Sequence, residues 1–235
     1  TLEIMNTSAI GGTPPSGLAQ NFGNVTWDNT QSSGCNLVGV NLNSIAGTFT
    51  VKNTGSFELR LGSTQSPTEN WGNLILQGGT LVTSSSSGVP TLNVAGSVTF
   101  SGGALTIVNA APLNIGGNWT KNGGTFTPGT GTVTLNGSSA QTIDGSASTT
   151  FNNLTLNNGA GASLGQAETV NGTLMLATGS LSSAGNLTLG NGATISRDTG
   201  TLDAAPNFGT TANVNYTGAT AVNTGYEIPA SSTVL

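Results

Sequence analysis

Nine acidic and four basic side chains are spread over 235 residues, and histidine is absent. Without histidine, Ser-His-Asp and Cys-His nucleophile systems and histidine-based zinc sites are all excluded. Carboxylates remain as candidate general acids and bases, the pairing that cleaves glycosidic bonds. One local cluster qualifies, Arg197 with Asp198 and Asp203. A solvated loop at the end of a repeat accounts for the same three residues, so no catalytic residue is assigned. Glu58 and Arg60 stand two apart, the spacing of a surface ion pair on one strand face. Calcium loops would need several aspartates at short spacing, which the chain lacks, so neither metal nor cofactor is expected. Cys35 is the sole cysteine; an internal disulfide is impossible, and the residue reads as a small buried apolar group.

The elements that must position any site follow from composition. Only 6% of residues are charged, 35% are hydrophobic, and glycine contributes 36. Helices favour Ala, Leu, Glu, Lys and Arg, so helix content is expected to be very low. Glycine and serine enrichment also marks disordered chains, but here apolar residues alternate with polar ones in short, evenly spaced runs. A net charge of −5 leaves no basic footprint for nucleic acid or anionic lipid, and no apolar stretch is long enough for a membrane span.

A five-residue unit organises the chain: Gly, a small polar residue, an apolar residue, usually Thr, and a final apolar residue. Clear copies are Gly23-Asn24-Val25-Thr26-Trp27, Gly47-Thr48-Phe49-Thr50-Val51, Gly72-Asn73-Leu74-Ile75-Leu76, Gly96-Ser97-Val98-Thr99-Phe100, Gly131-Thr132-Val133-Thr134-Leu135, Gly172-Thr173-Leu174-Met175-Leu176 and Gly185-Asn186-Leu187-Thr188-Leu189. Degenerate copies begin at Gly117, Asn152 and Ala212. Successive first positions are 24, 25, 24, 21, 14, 21, 20, 13 and 27 residues apart. Short alternating strands and glycine-rich turns at such a period, with no helix between, predict an all-β fold, a right-handed parallel β-helix with coils of about 20 to 25 residues. A β-sandwich uses similar strands but would not give this regular spacing. The two short intervals are expected to mark a second strand within one coil, and a companion motif, Leu92-Asn93-Val94 and Leu113-Asn114-Ile115, another face. Residues 1–235 are read as one domain.

Alternation places the third and fifth positions inward and the second and fourth outward. The outward residues Asn24, Thr26, Thr48, Thr50, Ser97, Thr99, Thr132, Thr134, Asn153, Thr155, Asn186 and Thr188 form the expected polar ladder. First-position glycines and the pairs Gly78-Gly79, Gly102-Gly103 and Gly123-Gly124 are expected at positive-φ corners. Trp27 and Trp119 fall on inward positions, which leaves Trp71 as the candidate exposed ring for stacking on a sugar. Regular Thr-x-Thr files could also order water and bind ice, but Asn interrupts the second position and Ile75 and Met175 the fourth. Neither end shows a cap. Residues 1–10 and 226–235, with Leu2, Ile4, Ile228 and Val234, are therefore expected to pair with a second copy of the chain or with its continuation.

Gly116-Gly117-Asn118-Trp119-Thr120, the run Phe126 to Gly137, Gln141-Thr142-Ile143 and Phe151 to Asn158 resemble repeats of large secreted surface proteins of Bacteroidota-type bacteria. Phe22 to Trp27 is similar to an upstream part of such chains. The resemblance covers most of the length and brings no catalytic residue with it. It implies an extracellular or cell-surface protein, a segment of a long adhesin or the subunit of a filament, with itself and glycans as partners. A polysaccharide-binding or polysaccharide-degrading β-helix and an ice-binding solenoid are the alternatives.

Overall fold

The computed structural model describes residues 1–5, 11–18, 20–37, 44–219, 221 and 223–228, and among them every regular element is a strand. All pairings between strands are parallel, and each joins a strand to its counterpart one coil away. The chain is a parallel β-solenoid. One ladder, the first face, runs through Leu2–Met5, Val25–Asp28, Ser44–Asn53, Thr68–Leu76, Val98–Phe100, Trp119–Lys121, Gln141–Asp144, Ala162–Leu164, Ser180–Ser182 and Thr201–Leu202. A second face begins on the leading ends of Ser44–Asn53 and Thr68–Leu76 and continues through Thr91–Val94, Pro112–Ile115, Thr132–Leu135, Asn153–Asn157, Thr173–Thr178, Ala193–Arg197 and Ala212–Tyr216. The third place in each coil is taken by Cys35–Asn36, Glu58–Gly62, Thr80–Ser84, Ala104–Thr106 and Thr125–Thr127, and later by Thr150–Phe151, Glu168–Val170 and Leu187–Leu189. Residues in register lie from 19 apart, Ala162 to Leu181, to 26 apart, Ser44 to Asn70.

This topology explains the uneven spacing of the sequence unit. The step of 14 from Gly117 to Gly131 passes from the first face to the second within one coil. The step of 13 from Gly172 to Gly185 passes from the second face to the third. Leu92-Asn93-Val94 and Leu113-Asn114-Ile115 stack on each other and continue into the Gly131 unit, so the companion motif is the early form of the second face.

Third and fifth positions are buried as the alternation predicts: Val25 and Trp27, Phe49 and Val51, Leu74 and Leu76, Val98 and Phe100, Leu154 and Leu156. Rings concentrate in the middle coils. Trp119 lies 4.8 Å from Phe126, 4.9 Å from Phe100 and 5.4 Å from Phe151, centroid to centroid, distances at which edge-on packing adds to area burial.

The glycines do a different job from the one expected. Among first-position glycines only Gly185 has positive φ, and of the paired glycines only Gly79 and Gly124 do. Most of the others are held to glycine by contact between coils, though not Gly23, where a Cβ would meet open space. A Cβ on Gly96 would stand 2.2 Å from Asn73 Oδ1 and 2.7 Å from the Gly72 carbonyl. Gly96→Ala should therefore destabilise by about 2 kcal/mol, the scale of overpacking a tight site. Thr155→Val, on an outward strand position, should stay within about 0.5 kcal/mol. Urea denaturation distinguishes the two; equal effects would remove the close-approach account. Leu154→Asp, a charge in the inner file, should abolish cooperative unfolding altogether.

Candidate functional site

The expected polar ladder is divided over three faces. Asn24, Thr26, Thr48, Thr50, Ser97 and Thr99 share the first, Thr132, Thr134, Asn153 and Thr155 the second, and Asn186 and Thr188 flank or lie in the third. The ladder's asparagines and Ser97 bond along the solenoid, to the neighbouring coil. Asn24 Oδ1 accepts the Thr48 N–H at 2.7 Å, Asn73 Oδ1 accepts that of Ser97 at 2.9 Å, and Asn118 Oδ1 that of Thr142 at 3.0 Å. On the second face Asn153 Oδ1 accepts the Thr173 N–H at 2.9 Å. At each corner the backbone leaves the strand ladder, and an N–H that would lose its partner gains an amide oxygen from the coil before. Gly47, Gly96 and Gly172 immediately precede three of these donors, and a Cβ on each would strike the incoming amide at 2.2 to 2.6 Å. Gly and Asn are thus two halves of one joint, a coupling that a file of outward side chains does not suggest.

The Arg197, Asp198, Asp203 cluster does not exist as a site. Arg197 is in register with Leu176 and Tyr216 at an inward position, where its guanidinium meets the buried Glu227 carboxylate. It also donates to the carbonyls of Gly200 at 2.7 Å and Asn223 at 2.9 Å, and Tyr216 donates its hydroxyl to Glu227 at 3.0 Å. Asp203 turns to another corner and accepts from the Ser182 hydroxyl and the Ser183 N–H, both at 2.7 Å. Inward position within the repeat was the signal that set Arg197 apart. Asn223 and Glu227 are held against the last coil by Arg197, and Ile228 is half-buried; of the expected assembly segment 226–235, residues 229–235 lie outside the described residues. Val234 lies outside the described residues. Leu2 and Ile4 belong to the first strand, as expected.

Trp71 is not an exposed ring: it is 2% accessible and packs edge-on against Phe49 at 4.5 Å. Three more ionisable groups face inward. Lys121, at a fifth position of the unit, donates to the Ser148 carbonyl at 3.2 Å. Glu168 accepts from the Thr149 N–H, and the Thr149 hydroxyl in turn accepts the Trp119 indole N–H at 3.0 Å. Burial pushes the Glu168 carboxyl up to about 7, against hydrogen bonds from Thr149 and Gln166 and the charge of Lys121. Burial likewise pushes Glu69 up to about 7, with the neighbouring Trp71 indole opposing it. Cys35 is buried and its thiol is raised to about 11, as suits a core residue. Glu58 and Arg60 form the expected ion pair. Among the described residues no three of His, Cys, Asp and Glu converge as metal ligands.

One groove lies outside. On the second face Asn70, Asn93 and Asn114 stand in register; Asn93 donates to Asn70 Oδ1 at 2.9 Å and Asn114 to Asn93 Oδ1 at 2.8 Å. The chain then turns through Ala46, Gly72 and Ala95, whose small size leaves a depression of about 320 Å³ closed at one end by Asn136. No ionisable group lines it.

No family model, curated protein or solved structure matches the chain.

Glu69 and Glu168 fix the sign of a pH effect. Their folded values, about 7, lie above the ordinary 4.5, so the unfolded state releases these protons first as pH rises. Stability should be fullest below pH 4.5 for these two groups and fall between about 4.5 and 7, each carboxyl accounting for on the order of 3 kcal/mol. Calorimetry should give a melting temperature several degrees higher at pH 5 than at pH 8, and Glu69→Gln should flatten the difference.

Proposed function

We propose that the chain is a non-catalytic structural and adhesive body that acts outside the cell, as a segment of a long adhesin or as the subunit of a surface filament. The observation that carries this reading is where the polar groups go: the repeated Asn, Ser and Gln side chains bond from coil to coil, so the sequence invests its chemistry in axial length. The resemblance of its repeats to secreted surface proteins supports the location, as does a polar surface built almost without charge. A polysaccharide-degrading enzyme is the rival reading. It would need acids converging on one groove, whereas Arg197 and Asp203 are held in separate contacts.

In this proposal the solenoid is extended at the Leu2–Met5 end. Among the described residues that strand pairs with one other strand, Val25–Asp28, with further bonds to the flanking Asn24 and Asn29, and its last residue, Met5, is 57% exposed. A parallel strand added there, from a second copy or from a longer chain, would continue every file of the first face, and a head-to-tail contact of this kind grows without closing. Analytical ultracentrifugation and negative-stain microscopy test it. Rods at high concentration that vanish when residues 1 to 10 are deleted are the expected result. A monodisperse monomer from the intact chain would sink the filament form of the proposal.

A further inference from the structure

We propose that the asparagine groove binds an extended, uncharged polysaccharide strand lying parallel to the solenoid axis. Three properties of the groove select that chemistry. Its lining holds amides, a hydroxyl, aliphatic groups and the edge of the buried Trp71, and no ionisable side chain, so a charged ligand would enter without a counter-charge. Its central amide is half engaged: Asn93 gives one N–H to Asn70 and accepts one from Asn114, which leaves a second N–H and a second lone pair, the donor and acceptor that a sugar hydroxyl requires. The ladder fixes each amide's orientation in advance, so little rotamer freedom is lost when a ligand arrives.

The repeat adds to these three. Successive amides advance by one coil, ~4.8 Å, close to the step per sugar in an extended β-1,4-linked hexose chain. Ser44, Asn70, Asn93 and Asn114 are in register over four coils, and Asn136 closes the groove beyond them. The amide arrangement repeats for each sugar, while the β-1,4 link turns each sugar relative to the last, so alternate sugars present the same edge to it. The floor of Ala46, Gly72 and Ala95 presents methyl and backbone surface against which the C–H face of a pyranose can lie without displacing a side chain. A pocket for a single small molecule would show convergent groups; this one shows translation, which matches a polymer.

The inference shares with the proposed function the view that the ligand is held and not cleaved. Native electrophoresis in gels cast with xylan, glucomannan, hydroxyethylcellulose or polygalacturonate tests it on the intact chain and on Ala95→Trp. Ala95 is exposed, so the indole fills the groove without entering the core, and the variant should keep the wild-type melting temperature and the wild-type sedimentation. At least one of the three neutral polymers should retard the wild type, with retardation at least tenfold weaker in Ala95→Trp, and polygalacturonate should not. Asn93→Ala should weaken retention as well, even if it also lowers stability. The groove assignment is overturned if none of the neutral polymers retards the protein, if Ala95→Trp is retarded equally, or if polygalacturonate is preferred. Release of shorter oligosaccharides by the wild type would refute the non-catalytic function while supporting the groove if Ala95→Trp abolished it.

Discussion

The architecture depends on a hydrogen bond that reaches from one coil to the next at the corners. Parallel strands satisfy their own backbones along each face, but where the chain bends the N–H of the residue after the glycine would be left without a partner. The asparagine amide from the preceding coil fills that place, as Asn24 does for Thr48 and Asn73 for Ser97. Before Thr48, Ser97 and Thr173 the bond demands glycine on the receiving coil because the amide occupies the volume of a Cβ, whereas before Thr142 the chain accommodates Gln141. Register, coil spacing and composition follow together. A slip of one residue would move the amide onto a side chain and turn every inward residue outward.

Inside, the files are apolar for most of the length and then change character. Lys121 and Glu168 in the middle, with Gln141 bonded to backbone carbonyls of the neighbouring coil, are placed among hydrophobic neighbours and reach backbone groups at the corners. In the last described coils the file of Leu156 and Leu176 passes to Arg197 and Tyr216, a guanidinium and a hydroxyl that share Glu227, while the file beside it stays apolar through Ile195 and Val214.

Much of this was legible in the residues. The five-residue unit named its inward and outward positions correctly from Val25 to Leu189, because a period of two leaves little freedom once one side is buried. The faces were harder to read, since the same unit serves on all three, and only the steps of 14 and 13 betrayed the change. The glycines were misassigned because sequence shows which residue lacks a Cβ but not what stands in the place of one. Trp71 was misplaced for a related reason. It precedes a glycine that looks like the start of a strand, whereas the strand Thr68–Leu76 runs through that glycine and carries the ring inward. The asparagine groove was invisible because its members, Asn70, Asn93 and Asn114, come together only through stacking.

Each coil touches only the coil above and the coil below, and that one-dimensional connectivity has a mechanical meaning. Tension applied to the two ends of the chain would act on the outermost strand of a face and peel it from its neighbour, and the load would then pass to the next. Such a body lengthens in steps of one coil, with no single rupture that dissolves the whole. The rings around Trp119, shared between coils by Phe100, Phe126 and Phe151, make the middle the hardest place to open. Under load the molecule would act as a spool with a brake at its centre, losing its ends and retaining its middle.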